Sequence, residues 1–229
     1  PLAAKSGETV VTGLPLRAAI ADLASRRADA EGAKLARREA AERLGVDGDA
    51  PTLLVTGGSL GALHVNESMT GAADALPEGA QVVHLTGRGK DEPVREAVEA
   101  AGLADRWHVI DYLTTMEDAL AVADLVVCRS GAGTVAEMEA LGLPCIYVPL
   151  PIGNGEQRLN AKDHVEAGGA QLIDDKDFTA DFVRSNVFPL LGSTRLAEMA
   201  AASQSLGRAG AARALADLAL AQVKEDGHE

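Results

Sequence analysis

Short runs of aliphatic and β-branched residues recur along the chain, each followed by a longer Ala/Glu/Leu-rich segment with helical spacing. The runs lie at 9–12, 52–56, 81–86, 107–110, 125–128, 145–148 and 171–173. The segments between them lie at 31–44, 61–75, 92–101, 116–121, 135–141 and 156–167. This alternation constrains the fold more than any other feature. Strands separated by a helix cannot close as hairpins; they pair in parallel through crossovers. The expected fold class is α/β, a Rossmann-like doubly wound parallel sheet with helices on both faces. Right-handed crossovers leave few topologies.

Composition supports this. Of 229 residues, 47% are hydrophobic but only 3% aromatic, so the core must be built from Ala, Val and Leu, as in strands buried between helices. The net charge of −13 argues against a nucleic-acid partner, which demands an excess of Lys and Arg. No apolar run reaches membrane-spanning length and no leader pattern is visible. Cys128 and Cys145 match no zinc or redox spacing and are expected as buried free thiols in a reducing compartment.

Local punctuation agrees with the alternation. Gly45, Gly102 and Gly142 follow helical segments as C-terminal caps. Thr114-x-x-Glu117 reads as a capping box, Thr179 as a cap, and Pro189 as a stop with a restart at Ser193 or Thr194. The segment 195–223 reads as helix with a break around 207–210.

In such a sheet, ligands bind at the carboxyl ends of strands, where strand order reverses. Four loops qualify. In "TGGSLGA", Gly57 and Gly58 allow close backbone approach, Ser59 offers a hydroxyl, and a helix opens near Leu60 or Gly61. A dinucleotide fingerprint fails there, because Thr56 stands where its first Gly belongs. In "DYLTTMEDAL", the Leu113 backbone is free to meet a ligand edge. In "CRSGAGTVAE", Ala132, Gly133 and Thr134 place N–H groups and a helix dipole toward an anion, worth about 0.3–1 kcal/mol. Glu137 suits a ribose diol, yet Thr134-x-x-Glu137 fits a capping box equally well. In "GNGEQRLNA", Glu156, Gln157 and Asn160 suit sugar hydroxyls, or an ordinary polar helix start. Four such loops on one sheet edge imply a nucleotide carrying a hydroxyl-rich group.

"GLPLR" (13–17), "TGGSLGA" (56–62), "CRSGAGTVAE" (128–137) and "GNGEQRLNA" (153–161) follow one another as in the MurG family, which the chain resembles from about Val10 to Leu218. Those enzymes move N-acetylglucosamine from UDP-N-acetylglucosamine to lipid I, giving lipid II for peptidoglycan, at the inner face of the plasma membrane. The resemblance is to the C-terminal, donor-binding half of a GT-B architecture. It implies a remnant of the interdomain connection at 1–17, a UDP-sugar-binding domain at 18–206, and a C-terminal helix and frayed tail at 207–229.

By the same resemblance, Arg17 approaches the diphosphate, Ser59 beside Gly57 and Gly58 contacts phosphate, and the Leu113 backbone reads the uracil edge. Ala132, Gly133 and Thr134 meet the diphosphate, and Glu137 binds ribose. Glu156, Gln157 and Asn160 lie near the sugar. Leu14, Gly133 and Glu156 stand where the family usually has Asn, Leu and Gln. The implied reaction is an inverting transfer by a hexosyltransferase needing no cofactor or bound metal. Its general base is expected in the N-terminal half, so this chain is expected to bind donor without turnover. Two rivals stay open at this level: another GT-B enzyme, such as a UDP-N-acetylglucosamine 2-epimerase or a lipid glycosyltransferase, and a non-catalytic nucleotide-sugar-binding module.

Overall fold

The structure is a computed structural model that describes residues 10–58, 61–152, 154–208 and 210–226. Six parallel strands form its sheet: β1 (Thr52–Thr56), β2 (Gln81–Leu85), β3 (Trp107–Ile110), β4 (Leu125–Cys128), β5 (Cys145–Tyr147) and β6 (Ala170–Leu172). Their spatial order is β3-β2-β1-β4-β5-β6. The chain winds outward from β1 to β3, then returns to β4 beside β1 and winds the other way. Strand order therefore reverses between β1 and β4, which pair from Leu53 with Leu125 to Thr56 with Cys128.

Both faces of the sheet are covered, and the pleat sends alternate residues to different cores. Leu53, Val55, Val82, Leu125, Val127 and Ile146 pack on one side with α3 (Leu63–Thr70) and α4 (Glu92–Ala100). Leu54, Val83, Val126, Cys128, Cys145 and Tyr147 pack on the other. That second side carries α1 (Ala18–Arg26), α2 (Ala30–Leu44), α5 (Met116–Val122) and α6 (Ala132–Leu141). After β5 come two short helices, α7 (Glu156–Asn160) and α8 (Lys162–Glu166), where one segment was expected. The chain ends with the one-turn α9 (Ala180–Phe182), α10 (Thr194–Leu206) and α11 (Ala211–Asp226). The last two flank the expected break. Both cysteines are free and buried, and burial pushes the Cys145 thiol well above its ordinary range.

Three local expectations are corrected. Residues 10–12 form no strand: Val10 and Val11 are exposed and extended outside the sheet. The segment 18–26, AAIADLASR, outside the expected helical segments, is a helix; it buries Ile20, Leu23 and Ala24 on one stripe. The Thr114-x-x-Glu117 box does not form, since α5 is preceded by Thr115 and has no side-chain cap. Other caps stand as read. Thr179 accepts from the Phe182 N–H and Ser193 from the Leu196 N–H, and Gly45 and Gly142 end α2 and α6 with positive φ.

Buried polar chains tie the elements that shape the site. His84 on β2 is fully buried, and desolvation pushes its pKa down to about 3. Trp107 Nε1 donates to its Nδ1 at 3.2 Å, so the proton sits on Nε2, which donates to Asn66 Oδ1 at 3.0 Å. Asn66 Nδ2 in turn donates to the Thr86 carbonyl at 3.0 Å, holding the end of β2 against α3. On the other flank His164 lies between the Tyr147 hydroxyl at 2.9 Å and Ser203 Oγ at 2.6 Å, linking β5, α8 and α10.

Candidate functional site

A cleft of about 230 Å³ opens at the carboxyl ends of the strands, over the reversal between β1 and β4. It is lined by Thr56 and Gly58 after β1, Gly87 after β2, Tyr112 and Leu113 after β3, Arg129 after β4, and Thr134 and Glu137 on α6. Arg17, just before α1, closes one side. The switch-point rule therefore selects three of the four loops read from sequence.

The loop after β1 is shaped by glycine. A Cβ on Gly57 would lie 2.3 Å from the Ala62 nitrogen, and one on Gly61, which has φ +66°, 2.1 Å from the Thr86 oxygen. Neither position accepts a side chain, so the loop folds tightly over the strand end. Ser59 lies outside the described residues. The helix after this loop starts at Leu63, later than expected.

The loop after β4 resolves the ambiguity of Thr134 and Glu137. α6 starts at Ala132, with Gly131 as its N-cap and no capping side chain. The first helical bond joins the Val135 N–H to the Gly131 carbonyl at 3.0 Å. The N–H groups of Ala132, Gly133 and Thr134 are thus the open donors of the first turn, at the positive end of the helix dipole. Thr134 lies inside the helix, so no capping box forms. A Cβ on Gly133 would meet open space. Glu137, one turn further in, is half-buried and turned to Arg17. Arg17 Nε donates to Oε1 at 2.8 Å and its second nitrogen to Oε2 at 3.0 Å. The hydrogen bonds that Arg17 donates to Glu137 hold its guanidinium above its ordinary pKa.

At the far side of the cleft Leu113 is half-buried. The Arg88 guanidinium lies over the Tyr112 ring, 3.9 Å from its centre, at the rim.

The fourth loop builds a separate cavity of about 590 Å³, lined by Leu150, Asn154, Glu156, Gln157 and Asp175 among others. Glu156 is exposed and accepts from Asn154 Nδ2 at 3.0 Å. Gln157 and Asn160 are engaged with backbone: Gln157 Oε1 accepts from the Leu150 and Ser130 N–H groups, and Asn160 Nδ2 donates to the Ser130 carbonyl. Sequence reasoning missed Arg129, which lines the first cleft and reaches toward the second. It donates to the carbonyls of Val148 and Pro149 and to Asp175. Its place inside the CRSGAGTVAE motif was the available signal. The sequence also holds Asp-x-Asp triplets at 47–49 and 175–177; neither lines the first cleft.

Residues 52–219 match the model of the glycosyltransferase family 28 C-terminal domain. The chain belongs to this family. It is similar to the UDP-N-acetylglucosamine–N-acetylmuramyl-(pentapeptide) pyrophosphoryl-undecaprenol N-acetylglucosamine transferase of Bifidobacterium longum, 49% identical over 218 residues, with 89% of this chain and 55% of that protein covered. Among solved structures it resembles MurG of Acinetobacter baumannii with a TM-score of 0.70, 27% identity, and 95% of this chain and 57% of that one covered. A putative UDP-N-acetylglucosamine 2-epimerase from Listeria monocytogenes, 22% identical over 82% of this chain and 47% of its own, shares the fold at a TM-score of 0.58. The chain spans about half the length of the curated relatives it matches. Among the described residues, no helix is long and apolar enough to cross a membrane.

Proposed function

We propose that this chain is the donor-binding half of an inverting glycosyltransferase that moves N-acetylglucosamine from UDP-N-acetylglucosamine to lipid I, forming lipid II at the inner face of the plasma membrane. The observation that carries the reading is the cleft at the β1/β4 reversal, where the open α6 donors, Arg17 and Glu137 converge beside the glycine-shaped loop after β1. An anion donor and a diol acceptor side by side suit a nucleoside diphosphate.

In this reading the Leu113 backbone meets the uracil edge, Glu137 accepts from the ribose hydroxyls, and the diphosphate lies against the N–H groups of Ala132, Gly133 and Thr134. Gly57 and Gly58 border it from β1. Arg17 adds a fork of donors and a positive charge. As the C4 hydroxyl of the acceptor attacks C1 of the donor sugar, the C1–oxygen bond breaks and negative charge grows on the departing UDP. Preorganised N–H groups and Arg17 stabilise that charge without a bound metal. The base that takes the acceptor proton belongs to the half that this chain does not contain. The proposed division is 1–17 connection, 18–206 donor domain and 207–229 C-terminal helix and tail.

Calorimetric titration with UDP-N-acetylglucosamine, UDP-glucose and NAD tests the assignment. Binding of the first in preference to the others is expected; binding of NAD alone would overturn it. Lipid II synthesis by this chain by itself would remove the claim that the other half supplies the base.

A further inference from the structure

The glycine loop after β1 leans on the end of β2. Gly61 passes so close to the Thr86 carbonyl that a Cβ there would lie 2.1 Å from its oxygen and 3.0 Å from the Gly87 Cα. Thr86 is fully buried, and Gly87 lines the cleft with Gly58. The loop therefore takes its place from the peptide between Thr86 and Gly87. Asn66, in the first turn of α3, secures both sides of that contact. Its N–H donates to the carbonyl of Ala62, where the loop ends, at 2.9 Å, and its Nδ2 donates to the Thr86 carbonyl at 3.0 Å. A reversed Asn66 amide would set its oxygen against the Thr86 oxygen. Two buried groups forbid the reversal. Trp107 Nε1 can only donate, to His84 Nδ1 at 3.2 Å. His84, kept neutral by burial, then carries its proton on Nε2 and donates to Asn66 Oδ1 at 3.0 Å. The Thr86 carbonyl at the far end can only accept, so the chain has one polarity from Trp107 to Thr86. Asn66, His84 and Trp107 are buried, which leaves no water to compete. Apolar groups of the same shape would fill this space as stably; what the polar chain adds is a fixed direction.

We propose that Asn66 is a positioning residue for the phosphates of the donor, and that His84 and Trp107 fix its orientation. The inference rests on the donor-binding reading above and deepens it with three residues, none of which lines the cleft. Asn66 holds the Thr86 carbonyl, that carbonyl supports Gly61, and the loop so held presents Gly57 and Gly58 to the diphosphate. Backbone groups that meet developing charge act only when their geometry is fixed beforehand, so slack behind the loop weakens the phosphate contact. The uracil side is separate. The Thr86 N–H donates to the Ile110 carbonyl at 3.0 Å, which ties β2 to β3 ahead of Leu113 without Asn66.

The test measures affinities of this chain for uridine, UDP and UDP-N-acetylglucosamine in the parent, in Asn66→Leu and in Trp107→Phe. Circular dichroism verifies folding, and nitrogen NMR reads the His84 tautomer. Asn66→Leu is expected to weaken UDP and UDP-N-acetylglucosamine by the same factor, on the order of 10-fold as for one net hydrogen bond, with uridine unchanged. Trp107→Phe keeps an aromatic ring in place and suffices where Asn66→Leu does not fold. It releases the His84 proton from Nε2, so NMR should show both tautomers, and the two phosphate ligands should weaken together by a smaller factor. A parent His84 protonated on Nδ1 would overturn the proposal. So would unchanged UDP affinity in a folded variant, weakening of UDP-N-acetylglucosamine alone, or equal losses for all three ligands, which would mean a general packing defect. A Trp107→Phe chain that loses UDP affinity with His84 still protonated on Nε2 alone would also overturn it. A parent chain that binds none of the three ligands would refute the donor-binding reading itself and this inference with it, a failure visible before any substitution is made.

Discussion

The Arg17 guanidinium holds both oxygens of the Glu137 carboxylate, at 2.8 and 3.0 Å, across 120 positions of sequence. The pair stands at the mouth of the cleft, with 57% of the Arg17 side chain exposed, so it contributes little to stability. Its significance is competition. While Arg17 occupies both oxygens, Glu137 has no free edge in the plane of the fork for a ribose diol. Under the proposed function, donor binding would exchange these partners, Arg17 turning to the diphosphate and Glu137 to the diol.

This exchange separates two variants. Arg17→Ala is expected to weaken UDP by about 10- to 100-fold, the range of a lost charge-assisted hydrogen bond. It should leave uridine affinity equal or higher, because the carboxylate is freed. Glu137→Ala should weaken uridine and UDP alike. Titration calorimetry reads both, and a Glu137→Ala protein with full uridine affinity would remove its ribose role.

Two glycines at the cleft should respond in opposite directions. Gly61→Ala places a methyl 2.1 Å from the Thr86 oxygen at φ +66° and should cost more than about 2 kcal/mol in urea unfolding. Gly133→Ala adds a methyl into open space in a helical turn and should raise stability by up to about 1 kcal/mol. Equal effects would contradict the loop geometry.

Stability should fall with acid below the ordinary histidine range. His84 and His164 are held at about 3 and about 4 by burial, whereas in the unfolded chain they titrate near 6.5. The unfolded state then binds more protons, so their contribution is complete above pH 6.5 and is lost as pH falls through 6.5 toward 4 and 3. The slope is at most about 1.4 kcal/mol per pH unit for each histidine. Urea unfolding between pH 7 and 4.5 checks this, and a His164→Gln variant should show a shallower slope. An unchanged slope would mean that His164 stays charged in the fold.

Divalent-cation removal should not alter donor affinity. The proposed diphosphate cradle consists of N–H groups and Arg17, while Asp175 of one Asp-x-Asp triplet is already paired with Arg129. UDP titrated with and without a chelator is expected to give the same affinity; a 10-fold loss with chelator would place a cation in the site.

The alternation of strands and helices was legible because parallel sheets bury both faces, which gives continuous apolar runs such as LLV and LVVC. α1 was not, because its burial of Ile20 and Leu23 depends on α5 and α6, which come a hundred residues later. Three of the four candidate loops were legible from their glycines. The choice between cap and anion site at Thr134 was not, because Thr-x-x-Glu has the same spacing in both, and only the start of α6 at Ala132 decides it.

By itself the sequence determined the fold class, the β1, β3, β4 and β5 loops as candidates, and the resemblance to a transferase family, since these depend on local periodicity and motif wording. Only the tertiary structure decided which side chains meet. Arg17 reaches Glu137 because α1 packs on α6, and Gln157 and Asn160 reach the Ser130 peptide because the strand order brings β5 beside β4. Strand adjacency is set by packing the whole sheet, and no local stretch of the chain encodes it.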